Sequence, residues 1–299
     1  MGRIVKEDVP KIFDLLQKAA GSDACILIGR MGGLTNHTYH AVLEDGREYV
    51  VRIPGEGTEE MIVRSDEKIS TELACRLDID AQMLYFGDDG SKVTEYIPNA
   101  RTMSAASFHD EKMIEEAAAL LRRTHSCGED TGVPFEVFDL AANYEKIIED
   151  VQVAMPSDYA EQKEKVLRIK AQIDRELHPE KVPCHNDPLC ENWVYGGSSR
   201  LYLIDWEYAG MNDGMWDVSD ISIEAGFDEA WDRLLLTDYL GHEPSAADNR
   251  HFLANKIYVD YLWTLWAKTR VPFDGQPMED WTQERYARMI GNINAFEEL

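Results

Sequence analysis

Cysteine is scarce and unpatterned. The 299 residues hold five, Cys25, Cys75, Cys127, Cys184 and Cys190, an odd number with no C-x-x-C pair. That favours reduced thiols in a cytoplasmic protein over a disulfide framework. Cys184, His185 and Cys190 stand close enough in sequence to raise zinc, but a structural zinc site needs a further ligand pair, and none is nearby. No apolar run approaches the roughly 20 residues of a membrane-spanning helix. The opening MGRIVKEDVPK puts charges where a signal peptide has its apolar stretch, and Lys6 stands where a myristoylation signal has Ser or Thr. Positive charge is short as well: 30 Lys and Arg against 56 Asp and Glu, a formal net charge of −26. Such a surface repels nucleic-acid phosphates and anionic membranes; it attracts cations, or serves solubility alone. The Walker pattern, the full G-x-G-x-x-G, repeats and low-complexity tracts are also missing.

What is present reads as an α+β chain of two lobes. Residues 5 to 20 have helical periodicity and stop at Gly21. Strand patterns follow in CILIGR, NHTYHAVLED and EYVVRI, the last two joined by a turn with Asp45-Gly46, a strong hairpin signal. A helix is expected over about residues 59 to 76, then strands AQMLYFG and KVTEYI across DDGS. These make a small antiparallel sheet of about five strands in a first lobe, residues 1–97. From Pro98 the character changes, and residues 98–299 form a large, mainly helical lobe. Its helices are expected at 104 to 126, 139 to 154, 158 to 177 and in several segments beyond 215. A cleft between two such lobes is where a ligand is expected.

The main interruption of the helical part is PCHNDPLCENWVYGGSSRLYLIDW, residues 183 to 206. Asp187 follows His185 by two residues, Asn192 follows Asp187 by five, and Asp205 closes an apolar strand. A strand-end carboxylate and an Asn carbonyl can share one Mg²⁺, a hard cation that takes oxygen ligands. Asp187, left off the metal, can accept a hydrogen bond from an attacking hydroxyl. Each residue alone reads equally well as an ordinary turn residue. The H-x-D-x-x-x-x-N…D spacing as a whole points to phosphoryl transfer, where positioning and charge neutralisation do most of the work.

HNDPLCEN followed by LIDWEYAG resembles the choline/ethanolamine kinases, within the aminoglycoside-phosphotransferase-like enzymes, and is most similar to the bacterial choline kinases. The resemblance extends over nearly the whole chain. It implies a protein-kinase-like fold and ATP-dependent transfer of the γ-phosphoryl group to a small cationic alcohol. On that basis Asp187 is the catalytic base, Asn192 and Asp205 are the Mg²⁺ ligands, His185 braces the loop, and Asp217 in MWDVSD holds the loop in shape. Gly32 and Gly33 permit close backbone approach to phosphates, and Asn36 in the same loop becomes a phosphate contact. Arg52 in YVVRIPG takes the place of the phosphate-pairing Lys of other kinases, with Glu67 or Glu72 as its acidic partner. Glu95, Tyr96 and Ile97 occupy the hinge whose backbone meets the adenine edge.

Trp263 and Trp266 lie three apart, on one helical face, a spacing that usually marks core packing. The resemblance places them on the wall of a choline site, with Tyr208 and Tyr286 as further contacts and Glu207 and Asp220 as candidate carboxylates. A trimethylammonium group has no N–H to donate, and its natural receptor is an aromatic cage. One departure stands out: Asn186 sits where eukaryotic members usually have Gly. The leading expectation is ATP plus choline giving ADP plus phosphocholine, with ethanolamine, thiamine or an aminoglycoside as alternative acceptors. Readings from other classes are a catalytically idle kinase-like binder and a helical protein docking basic partners. Oligomeric state leaves no trace in the sequence.

Overall fold

A computed structural model describes residues 4–31, 36–55 and 62–299; Gly33 of the expected phosphate loop lies outside them. The chain begins with helix α1 (Val9–Ala20) and strands β1 (Cys25–Arg30), β2 (Asn36–Leu43) and β3 (Glu48–Pro54). Helix α2 (Arg64–Arg76) leads to β4 (Met83–Phe86), β5 (Lys92–Glu95) and the short β6 (Arg101–Thr102). Next come α3 (Ala105–Phe108), α4 (Glu111–His125), α5 (Val137–Asp150) and α6 (Tyr159–Leu177). Strands β7 (Lys181–Cys184), β8 (Trp193–Gly196), β9 (Arg200–Leu203) and β10 (Gly210–Asp213) precede α7 (Met215–Ala225), α8 (Glu229–Leu240), α9 (Ala246–Asp274) and α10 (Gln276–Glu297). Two compact units result, Met1–Met103 with Glu191–Ala209, and Ser104–Cys190 with Gly210–Leu299.

In the first unit the five-stranded sheet has the order β1-β2-β3-β5-β4, every neighbour antiparallel. Strand parity divides its two faces. Odd-numbered Tyr39, Ala41, Tyr49, Val51, Ile53 and Val93 pack on Ile12, Leu15 and Leu16 of α1. Each such buried aliphatic side chain stabilises the fold by about 1.5–3 kcal/mol. Even-numbered Thr38, Val50, Arg52, Lys92 and Thr94 line a cavity on the other face. Helix α1 starts later than its periodicity suggests, after a 3₁₀ turn at Lys6–Asp8, because Pro10 suits the first helical turn. It stops at Gly21, whose φ of 71° lets its N–H reach the Gln17 carbonyl.

The second unit is mainly helical. The helix expected over 104 to 126 is two helices, since Asp110 interrupts it: its carboxylate accepts from the N–H groups of Lys112 and Met113 and starts α4 afresh. Strands β7 and β10 pair antiparallel, Cys184 opposite Gly210. Helix α7 is buried along nearly its whole length, and Asp217 and Asp220 are fully buried on it. Packing does not explain two buried carboxylates; they need partners or a function. No helix of the described residues is long and apolar enough to cross a membrane.

Candidate active site

The cavity of the first unit has a volume of about 180 Å³. Its apolar lining includes Val50, Ala81, Val194 and Ile204, and Glu95, Tyr96 and Ile97 line it as well. Its charged end gathers around Arg52. The Arg52 guanidinium lies 2.5 Å from the Glu67 carboxylate and 3.3 Å from that of Asp205, and it donates to the Gly90 carbonyl at 2.9 Å. Glu67 is also held by Arg64 at 2.7 Å and approached by Lys92 at 3.6 Å. Burial works against the Glu67 charge, but Lys92, Arg52 and Arg64 outweigh it and keep its carboxyl below the usual range. Glu72, by contrast, is half exposed and lies 4.0 Å from Lys68. Arg52 is therefore a rigid cation fixed by a buried partner, with its charge aimed at the polar end of the cavity.

Asn192 and Asp205 come together because β8 and β9 form a hairpin in which Trp193 faces Leu203. One residue beyond that pair, the Ile204 N–H donates to the Asn192 carbonyl at 2.9 Å. Asp205 then turns sharply, with φ of +68°, a left-handed conformation that Gly, Asn and Asp adopt more readily than other residues. The Trp206 indole, donating to the Leu203 carbonyl at 2.9 Å, locks that turn. Glu207 completes the group. The sequence offered it as a carboxylate for the acceptor, but it sits with Arg64 at 3.5 Å and accepts from the Asn36 amide at 3.3 Å. Burial, then the neighbouring Asp205 charge, pushes its carboxyl up to about 7. Asp205 and Glu207 in this turn, with Asn192 on the other arm of the hairpin, offer oxygen donors, and repulsion between the two carboxylates is what a divalent cation relieves.

In the second unit the loop after β7 is built around Asp217. Its carboxylate accepts the backbone N–H groups of His185 and Asn186, both at 2.8 Å, and faces the His125 ring at 3.1 Å. Tyr239 holds the other His125 nitrogen at 2.9 Å. The Trp216 indole donates to the Asn186 carbonyl and the Asn212 amide to the Asn186 side chain, both at 2.9 Å. Asn186 has φ of +67°, which explains why Gly or Asn suits this position. The Asp187 N–H donates to Nδ1 of His185 at 3.3 Å, so His185, fully buried, supports the loop from beneath.

His125, Cys184 and Asp217 bring three metal-type atoms within 4.8 Å of one another. All three are already engaged, the Cys184 thiol with the Asn212 carbonyl at 3.5 Å, and burial pushes that thiol well up. Cys184 is thus a neutral packing group and a poor zinc ligand.

On α9 the rings of Trp263 and Trp266 meet edge to face, centroids 6.1 Å apart, and Trp281 of α10 adds a third ring 6.3 Å from Trp266. Arg285 lies 4.0 Å over the Trp281 ring; it bonds Glu224 of α7 and reaches Asp260 at 3.3 Å. Tyr286 faces elsewhere, donating to Asp158 at 3.0 Å and lining a separate cavity of about 420 Å³ with Met155 and Lys268. Tyr208, half-buried, belongs to the first unit.

The family model described as choline/ethanolamine kinase matches residues 29–262. The chain belongs to the choline/ethanolamine kinase family. It is a small-molecule kinase. Protein LicA of Haemophilus influenzae is 26% identical over 80% of this chain and 72% of its own length. The solved choline kinase LicA of Streptococcus pneumoniae is 28% identical, covers 97% of this chain and 100% of its own, and superposes with a TM-score of 0.82. A choline/ethanolamine kinase family protein of Mesorhizobium loti is likewise 28% identical, with coverage of 96% and 94% and the same TM-score.

In this kinase the sequence pattern missed Lys92, Asp80, Trp281 and Arg285. Lys92 had a signal: it shares strand parity with Thr94 and so faces the cavity. Asp80 follows no motif; it is buried beside Lys92, and burial raises its carboxyl to about 6. Trp281 and Arg285 sit on a helix other than that of the tryptophan pair, so no periodicity connects them. The brace makes a test. Asp217→Asn leaves at least one buried loop N–H poorly satisfied and is expected to cost about 1–3 kcal/mol of stability. A lower melting temperature together with a lower kcat checks this; an unchanged pair contradicts it.

Proposed function

We propose that this kinase transfers the γ-phosphoryl group of ATP to the hydroxyl of choline, giving phosphocholine and ADP. The observation that carries the choice of acceptor is the run of three tryptophan rings, Trp263, Trp266 and Trp281, in one contiguous group with the carboxylates Glu224 and Asp260. Aromatic faces attract a quaternary ammonium without needing to accept a hydrogen bond from it, and each good face contributes about 0.5–2 kcal/mol. The choline kinase activity in the name of the similar LicA structure supports the same acceptor.

The roles follow from the chemistry. The nucleotide base fits the apolar lining of the first unit's cavity, with the backbone of residues 95 to 97 at its edge, and Arg52 meets the phosphates at the charged end. Asp187 accepts the proton of the choline hydroxyl; the hydroxyl oxygen forms a bond to the γ-phosphorus as the bond from that phosphorus to the β–γ bridging oxygen breaks, and ADP leaves. Asn192 and Asp205, with Glu207 alongside, would hold Mg²⁺, which would supply neutralisation of the phosphate charge there. Glu67 keeps Arg52 pointed, and Asp217 keeps Asp187 in place through the loop backbone.

An ADP-release screen over choline, ethanolamine, thiamine and aminoglycosides tests the reading. Choline is expected to give the highest kcat/KM; a preference for a primary amine or an aminoglycoside overturns it. Trp263→Ala or Trp266→Ala is expected to raise the KM for choline by about 3- to 30-fold, in line with one lost cation–π face. The KM for ATP should stay near that of the unaltered kinase, and folded variants with unchanged choline KM would remove the tryptophans from the site.

A further inference from the structure

A further cavity, of about 140 Å³, lies in the second unit against the residues that hold the loop after β7. Asn212 of β10 and Trp216 of α7 line it, and both bond Asn186 of that loop. The Asn212 amide donates to the Asn186 side chain and the Trp216 indole to the Asn186 carbonyl, each at 2.9 Å. Asn255 and Tyr258, three apart on one face of α9, line the cavity too. Phe135, Val137, Ile173 and Pro179 give it apolar wall.

Three polar side chains of this lining have bonding capacity unused. Asn212, Asn255 and Tyr258 are each more than nine-tenths buried. The Asn212 NH₂ is spent on Asn186, and that of Asn255 on the Asp213 carboxylate and the His251 carbonyl, both at 3.1 Å. These bonds fix which way each carboxamide points. Among the described residues nothing donates to either side-chain carbonyl oxygen, and the Tyr258 hydroxyl has no partner. Buried polar groups are almost always paired, so three unpaired ones around one cavity call for an occupant.

The lining says which kind. Its two lysines are committed, Lys170 to Asp174 and Lys181 to Glu136, so no cation is spare for an anion. A quaternary ammonium has no N–H and would leave both carbonyl oxygens bare. Water can bridge such groups, but each water takes up roughly 30 Å³ and gains nothing from the apolar wall. A primary ammonium brings three N–H donors for three oxygens. A short apolar body fills the remaining space, since a cavity of about 150 Å³ takes a molecule the size of benzene.

We propose that this cavity is a second ligand site of the kinase, which takes a compact primary ammonium ion with an apolar body and couples its occupancy to the loop that carries Asp187. The ammonium donates to the side-chain oxygens of Asn212, Asn255 and Tyr258. Held from that side, Asn212 fixes Asn186, and with it the backbone next to Asp187. None of the lining residues belongs to the tryptophan group, so the site stands whichever alcohol is phosphorylated.

Calorimetric titration of the full chain with benzylamine tests this, with benzoate as the anionic control. Saturable binding of benzylamine is expected, and none of benzoate. Asn255→Leu and Tyr258→Phe should each weaken it by about tenfold or more, the range for losing a hydrogen bond to a charged group. The KM for ATP should not change in either variant. Trp263→Ala should bind benzylamine as the unaltered kinase does. Amide exchange in residues 183–190 should slow when benzylamine is bound. Absence of saturable binding overturns the inference and leaves the cavity to solvent. Full affinity in both variants overturns it as well, and loss of binding in Trp263→Ala would place the amine at the tryptophan group instead. Binding with unchanged exchange in residues 183–190 refutes the coupling to the loop. If Asn255→Leu does not fold, Tyr258→Phe, which keeps the ring, decides.

Discussion

Asp187→Asn is expected to lower kcat by about 10²- to 10⁴-fold, the range for loss of a general base, with the KM for ATP changed little. The asymmetry follows from where the residue sits. Asp187 belongs to the second unit, whereas the cavity, Arg52 and the metal-type hairpin belong to the first. Removing its charge leaves the nucleotide's contacts in place. The loop keeps its shape as well, because its bonds to Asp217 come from the backbone N–H groups of His185 and Asn186 and not from the Asp187 side chain. Steady-state kinetics with a check of folding decides the matter, and a kcat within about threefold of the parent value removes Asp187 as base.

The second large effect concerns Asp205. Asp205→Ala is expected to cost about 10³-fold in kcat, because it removes the proposed cation ligand and a charge partner of Arg52 together. Loss of the carboxylate also relieves the pressure on Glu207, whose carboxyl is raised by burial and then by the Asp205 charge. The signature is in the metal titration: the parent kinase is expected to lose activity on chelation and regain it with Mg²⁺, and the variant to need far more Mg²⁺ for whatever activity it keeps. Unaltered Mg²⁺ dependence in the variant would rule out the ligand role.

Much of this arrangement was legible because it is local in the chain. The sheet followed from period-two alternation and the Asp45-Gly46 turn, where Gly46 has φ of 84°. The adjacency of Asn192 and Asp205 is a consequence of hairpin register. Arg52 was readable as a cation on a strand, and the sheet's parity turns it away from α1 toward the cavity. The less legible parts join distant segments. That Glu207 serves the Arg52 cluster depends on Arg64, Asn36 and a turn with positive φ at Asp205, none of which periodicity expresses. Tyr286 lies on α10 five residues from Trp281, and a helix turns such a pair to different faces, so one joins the tryptophan group and the other meets Asp158. Asp220 stood out in the sequence only through the family resemblance; its burial without a hydrogen-bond partner is what the structure adds.

Helix boundaries show the same division. The break between α3 and α4 was written in Asp110, an N-cap residue, yet the apolar pattern runs through it. Asn186 is the reverse case. A departure from the glycine of eukaryotic relatives turned out to carry a backbone reason, since its φ of +67° suits Asn as well as Gly.

The most direct test of the whole account is phosphorus NMR of the products when the purified kinase is supplied with ATP, Mg²⁺ and choline. The account predicts phosphocholine and ADP accumulating in equal amounts, with both forming about 10²-fold or more slowly for Asp187→Asn. ADP forming with inorganic phosphate alone, or phosphocholine forming at the parent rate in that variant, would contradict it.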